Sequence, residues 1–161
     1  MIFALDAMGG DHGPSEVCKG AIEACKEHYD LEIILVGKSG EIEPALDEAP
    51  GEIVRRISVV HSEEQIGMDE HPSAALRKKR GSSLRMAMEM VRSGEAERCV
   101  SAGNTGAIVA GGVLVVGRIA GIDRPALGVA LPTLNKYTFL LDVGATVRNR
   151  PINLYQFALM G

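Results

Sequence analysis

The residues best suited to chemistry sit in two glycine-rich turns. The stretch Ser101-Ala102-Gly103-Asn104-Thr105-Gly106-Ala107 follows Arg98-Cys99-Val100, which reads as the end of a short buried strand. It precedes residues 108–119, apolar and glycine-dotted, which read as a helix packed on most of its faces. A strand that leaves through a Gly/Asn/Thr turn into a helix aims unpartnered N–H groups, and the positive end of the helix dipole, at an anion. Gly103 and Gly106 permit close backbone approach, and Asn104 and Thr105 add polar side-chain atoms. An ordinary strand-to-helix turn capped by Asn or Thr is the plain alternative. The second turn, Asp6-Ala7-Met8-Gly9-Gly10-Asp11-His12-Gly13-Pro14, follows the apolar run 2–5. Its Pro14 suits the first turn of a helix, where a missing N–H costs nothing. Gly9, Gly10 and Gly13 bring backbone close to an anion or simply turn the chain tightly. Asp6 and Asp11 orient N–H groups or cap the helix. His12 can protonate a leaving group, because imidazole titrates near neutrality, or can simply be solvated.

These turns need elements to position them. Apolar runs at 2–5, 31–36, 57–60 and 99–101 read as buried strands, and helical spacing links Val17, Ala21, Ala24 and Cys25. Leu84, Ala87, Met88 and Val91 form a clean buried stripe on a helix capped by Ser82 or Ser83 and ended by Gly94. Met86 and Met90 lie off that stripe. Segments 126–131 and 138–141 read as two further strands, an antiparallel hairpin or neighbouring edges. Asp142-Val143-Gly144-Ala145-Thr146 is a third glycine-containing strand exit. The alternation predicts one α/β domain over 1–161, with a mostly parallel sheet and helices on both faces. Ligands in such sheets sit at the carboxyl ends of the strands, so all three turns are expected along one rim.

Between the third strand and the Ser82 helix lies a polar segment of ambiguous structure, 61–81. It carries Asp69 and Glu70 and the basic run Arg77-Lys78-Lys79-Arg80. Adjacent carboxylates point in alternate directions, so no metal is expected there. A charge run is usually a solvated face.

Composition narrows the classes. The chain has 161 residues, 46% hydrophobic and 24% charged, which is globular. Its 19 glycines fit many tight connections. A net charge of −4 argues against a nucleic-acid partner. The three cysteines Cys18, Cys25 and Cys99 have no metal-ligand spacing and read as buried small hydrophobes in a reducing, cytoplasmic setting. The first residues form a strand rather than a leader peptide, and the apolar run 107–116 is too short to span a bilayer. The chain stops on an apolar helical stretch, 154–160, which leads us to expect a part of a larger protein.

With these residues laid out, the chain resembles the phosphate acyltransferases of bacterial phospholipid synthesis (the PlsX family), over their N-terminal half. The resemblance is carried by Leu5 through Pro14, Ile66-Gly67-Met68-Asp69-Glu70 with the basic run after it, Ser101 through Ala107, and Gly117-Arg118 with Gly121-Ile122-Asp123-Arg124-Pro125-Ala126-Leu127. Leu131-Pro132-Thr133-Leu134 and Leu140 through Ala145 complete it, in the family's order. Thr146, Arg148, Asn149 and Ile152 depart from the family's pattern, which has Asn after Gly144-Ala145 and an acidic residue in place of Arg148.

The resemblance implies the fold of isocitrate and isopropylmalate dehydrogenases. It also implies transfer of an acyl group from acyl carrier protein to inorganic phosphate, without a cofactor, by a homodimer. Peripheral membrane association is implied only through a region this chain lacks. Phosphate arrives as an anion, so the site must hold it and stabilise the oxyanion on the thioester carbonyl. Asn104 and His12 are the expected catalytic residues. Gly9, Gly10, Asp11, Gly103, Thr105, Gly106, Lys78 and Lys79 are the expected phosphate or substrate contacts. A non-catalytic fragment that binds phosphate or carrier and needs a C-terminal half is the competing expectation.

Overall fold

The computed structural model describes residues 1–47, 49–134, 136–143 and 148–161. They form two compact units, Met1–Val116 and Gly117–Gly161.

The first unit alternates strand and helix. Its strands are β1 (Ile2–Asp6), β2 (Glu32–Gly37), β3 (Ile57–His61) and β4 (Arg98–Val100). The helices are α1 (Gly13–Glu27), α2 (Ser39–Leu46), α3 (Gly51–Val54), α4 (Pro72–Lys78), α5 (Ser83–Ser93) and α6 (Thr105–Gly111). The sheet order is β3-β2-β1-β4, and every pairing is parallel. Strict alternation of side chains divides each strand between two cores. Phe3, Leu5, Ile33, Leu35, Ile57 and Val59 face α1 and α2. Ile2, Ala4, Ile34, Val36 and Val60 face α5. Helices therefore cover both faces, and β1 and β2 read as apolar runs because both of their sides are largely covered.

Small residues let α1 lie close to the sheet: Cys18, Ala21 and Cys25 are its buried stripe. Its last carbonyls are gathered by Arg56, which donates to His28 O at 2.8 Å, to Leu31 O at 3.4 Å and also to Cys25 O. A guanidinium there satisfies orphan carbonyls and opposes the negative end of the helix dipole. Arg56→Ala is expected to lower stability by about 2 kcal/mol, and Lys to restore little of it, because only the guanidinium forks to several acceptors. Thermal unfolding of the two variants measures this. α2 is capped from outside itself. The Ser39 N–H donates to His61 Nδ1 at 3.2 Å, so that nitrogen is an acceptor and the Ser39 hydroxyl, 2.9 Å away, donates to it as well.

Three local expectations change. α5 is buried on more than the predicted stripe. Leu84 and Met88 pack in a cluster with α4 and α6, while Ala87, Met90 and partly buried Met86 pack on the sheet. A helix held between two cores buries two faces, which a single stripe does not reveal. The helix after β4 is shorter than expected, ending at Gly111 and continuing as a widened π-type turn over Gly112–Val116. Leu114, Val116 and Ile119 are exposed. β4 is an edge strand rather than a buried one, and Val100 is 47% exposed.

The second unit holds an antiparallel hairpin, β5 (Gly128–Pro132) with β6 (Tyr137–Leu141), and α7 (Pro151–Met160). Gln156 ties α7 to the loop before β5: it donates to Gly121 O at 3.1 Å and accepts from Asp123 N–H at 3.1 Å. Gly144, Ala145 and Thr146 of the third expected turn lie outside the described residues. No helix among the described residues is long and apolar enough to cross a membrane.

Candidate functional site

The strand order locates the crevice. The chain builds β1, β2 and β3 outward in one direction, then returns to add β4 on the other side of β1. The chain leaving β1 enters α1 on one face of the sheet. The chain leaving β4 enters α6, which packs with α4 and α5 on the opposite side. Neighbouring strands whose exits diverge to opposite faces leave a crevice at their carboxyl ends, where α/β sheets bind ligands. Both glycine turns of the first unit are these two exits.

The turns touch at their base. A β-carbon built at Gly9 would lie 2.7 Å from Asp6 Oδ2, 2.9 Å from Gly103 N and 2.9 Å from Ser101 Oγ. Gly10 takes φ +96°, in the left-handed region, and its β-carbon would meet the Ala102 side chain at 3.3 Å. Beneath them, Asp6 is 4% exposed. Its carboxylate accepts the Ser83 hydroxyl at 2.5 Å and the Ser101 hydroxyl at 2.7 Å. Ser101 Oγ in turn accepts the Gly103 N–H at 3.0 Å. One buried acid thus joins the ends of β1 and β4 and the start of α5. The N–H groups of Gly10, Asp11 and His12 find no acceptor among the described residues. Asp11 and His12 are exposed, and His12 heads α1 without a side-chain cap bond.

At the other turn Asn104 is the N-cap of α6. Its Oδ1 accepts the Ala107 N–H at 3.0 Å. Its Nδ2 donates to Met68 O at 2.8 Å and Glu70 O at 3.2 Å, with Gly67 O at 3.4 Å. Both ends of the amide are engaged, so Asn104 fastens loop 67–70 to the helix start. The next two N–H groups, of Thr105 and Gly106, have no acceptor among the described residues, and both residues are exposed. Gly106 is required for packing: a β-carbon there would stand 2.6 Å from Pro72 Cγ at the head of α4.

The same loop is held from its far side. Lys79 Nζ contacts Glu70 Oε1 at 2.5 Å and donates to Gln65 O at 2.8 Å, and the Gly67 N–H donates to Glu70 Oε1 at 2.7 Å. The Lys79 ammonium, then the Gly67 N–H, hold the Glu70 carboxyl below its usual range. Lys79 is therefore committed to its own loop. Arg77, Lys78 and Arg80 are exposed, and their side chains make no hydrogen bond among the described residues.

A family model described as "Fatty acid synthesis protein" matches residues 1–161, the whole chain. The chain belongs to the fatty acid synthesis protein family. The phosphate acyltransferase of Heliobacterium modesticaldum is 52% identical over 161 residues, covering 100% of this chain and 48% of its own length. Those of Bacillus cereus and Thermoanaerobacterium thermosaccharolyticum are 49% and 48% identical, over 48% and 46% of their lengths. The chain spans about half the length of the curated relatives it matches.

In this member of the fatty acid synthesis protein family, Asp11 and His12 lie exposed in the β1 turn, and the other expected site residues separate into three sets. Gly9, Gly10 and Gly103 share one contact surface. Asn104, Thr105 and Gly106 form the adjoining helix start, with Asn104 turned toward the loop. Lys79 is latched to Glu70, whereas Lys78 is not. Sequence reading missed Ser83 as a partner of Asp6, 77 positions away, and Glu70 as a partner of Lys79, across nine positions that no helical or strand period links. Cys99, beside this site on β4, is no nucleophile: burial, then the Asp6 charge, pushes its thiol up to about 11. At pH 8 native Cys99 is expected to alkylate about 100-fold more slowly than a free cysteine, and the rate to rise steeply toward pH 11. Iodoacetamide labelling followed by mass spectrometry checks this.

Proposed function

We propose that the two joined turns bind inorganic phosphate. In the whole protein, that phosphate accepts an acyl group from acyl carrier protein. A phosphate oxygen attacks the thioester carbonyl; the tetrahedral oxyanion collapses to acyl phosphate and expels the carrier thiol. Backbone N–H groups of Gly10, Asp11, Thr105 and Gly106 hold the phosphate and the developing charge, with Gly9 and Gly103 supplying the close packing beneath. Asn104 acts by fixing the helix start that presents two of these groups. His12 protonates the departing sulfur. Lys78 contacts phosphate, and Arg77 and Arg80 steer the acidic carrier. The resemblance adds a homodimer in the cytoplasm, with membrane contact made outside these 161 residues.

The observation that carries this reading is the divergence of the β1 and β4 exits, with both glycine turns in contact at the resulting crevice. The names of the relatives support the reaction type. A second reading, a binding fragment without turnover, is favoured by the half-length match. The test is phosphate-dependent release of free carrier, run beside calorimetry with phosphate and carrier on the same sample. Turnover supports the first reading and binding alone the second. Neither signal would remove both. Changing Arg77, Lys78 and Arg80 to Ala is expected to flatten the salt dependence of carrier affinity, since each contributes through long-range charge. Lys79 is left in place to keep loop 65–70 latched.

A further inference from the structure

We propose that Asp6 is the positioning residue of the cradle, setting the spacing of the two turns through Ser101. This rests on the phosphate reading above. Asp6 presents an oddity that the reaction does not use: a buried carboxylate lies beneath a surface read as binding an anion, with no cationic partner among the described residues. By charge alone it opposes phosphate. Its contacts give the reason for its presence.

As a carboxylate Asp6 only accepts, so both serine hydroxyls must donate to it. Ser101 Oγ then has only lone pairs left for Gly103, and accepts the Gly103 N–H at 3.0 Å. The order Gly103 N–H to Ser101 O–H to Asp6 is therefore fixed in one direction. It turns the Gly103 peptide inward. Asp6 Oδ2, which anchors this row, is also the atom nearest a β-carbon at Gly9. One oxygen thus limits both turns. The second oxygen, Oδ1, is held by Ser83 at the first turn of α5, on the opposite face from α1. The carboxylate cannot shift toward one turn without losing the other. A neutral amide accepts at one end and donates at the other, so only one of the two serines can still donate to it, and the anchoring by two donated hydroxyls is lost.

The sign of one measurement separates positioning from charge. If Asp6 positions the cradle, Asp6→Asn weakens phosphate binding, by about tenfold on calorimetric titration, although it removes a repulsive charge. Ser101→Ala weakens it comparably. Arg56→Ala serves as the control for simple destabilisation: it lowers the melting temperature and leaves phosphate affinity unchanged. Tighter binding by Asp6→Asn, or affinity falling only in step with melting temperature across all three variants, overturns the proposal. A readout without ligand covers the case in which the unaltered chain binds no phosphate, which would itself defeat the phosphate reading. In Ser101→Ala, hydrogen exchange at the Gly103 amide is expected to quicken, and amide resonances of Gly9 and Gly10 to move with it. Changes confined to residues 101–104 would show that the turns are not coupled, and the proposal would fall on that result alone.

Discussion

Gly9→Ala is expected to be among the most damaging single-methyl additions in the first unit. The new carbon would sit 2.7 Å from a buried carboxylate oxygen and 2.9 Å from a backbone nitrogen, and neither is the free end of a flexible chain. Overpacking of this kind costs about 1–3 kcal/mol, and the strain falls on the contact that joins the two turns. Phosphate affinity should therefore drop by at least about tenfold beyond any loss of stability. Gly20→Ala gives the contrast. Gly20 lies inside α1 with nothing within 4 Å of its added carbon. There the same substitution should stabilise the chain by about 0.5–1 kcal/mol, through helix propensity alone. Thermal melts and phosphate titrations of the pair read both effects. Equal behaviour of the two variants would mean that the turns are not in contact.

Asn104 should give the second large effect. Ala at this position loses the helix cap and the bonds to the loop carbonyls, about 2–4 kcal/mol together. At about 2–4 °C per kcal/mol for a chain of this size, the melting temperature falls by roughly 4–16 °C. Asp keeps the cap, since Oδ1 still accepts the Ala107 N–H. It loses the donor and turns a second oxygen toward Met68 O, now 2.8 Å from Nδ2. Asn104→Asp should thus melt above Asn104→Ala, yet release loop 67–70 to limited proteolysis and bind phosphate more weakly than either Ala or Asn, because like charges then meet. Resistance of the loop in both variants would show that Asn104 does not fasten it.

What the sequence disclosed follows from where information is local. β1 and β2 are legible because strands largely covered on both sides are continuous apolar runs. The two turns are legible because Gly, Asn and Pro mark backbone geometry directly. The burial of Met90 is not, since it depends on α5 lying between two cores. Segment 61–81 stayed ambiguous because its seven-residue helix α4 has no stripe long enough to recognise, and is bounded by Pro72 against Gly106 and by Lys79 against Glu70. The candidate site divides in the same way. Its glycines were visible, whereas the engagement of Asn104 with Met68 and of Asp6 with Ser83 exists only after folding. The pH behaviour of the latch has the same origin: Glu70's lowered carboxyl contributes above the ordinary carboxylate range, and that contribution is lost as pH falls through its folded value.

If the exits of β1 and β4 form one anion cradle, phosphate engages both turns together. The most direct measurement is a titration of the isotope-labelled chain with inorganic phosphate, following backbone amide resonances. Saturable shifts at Gly10, Asp11, Thr105 and Gly106 that fit a single dissociation constant are expected. Shifts confined to the basic run 77–80, or different constants for the two turns, would contradict the single cradle.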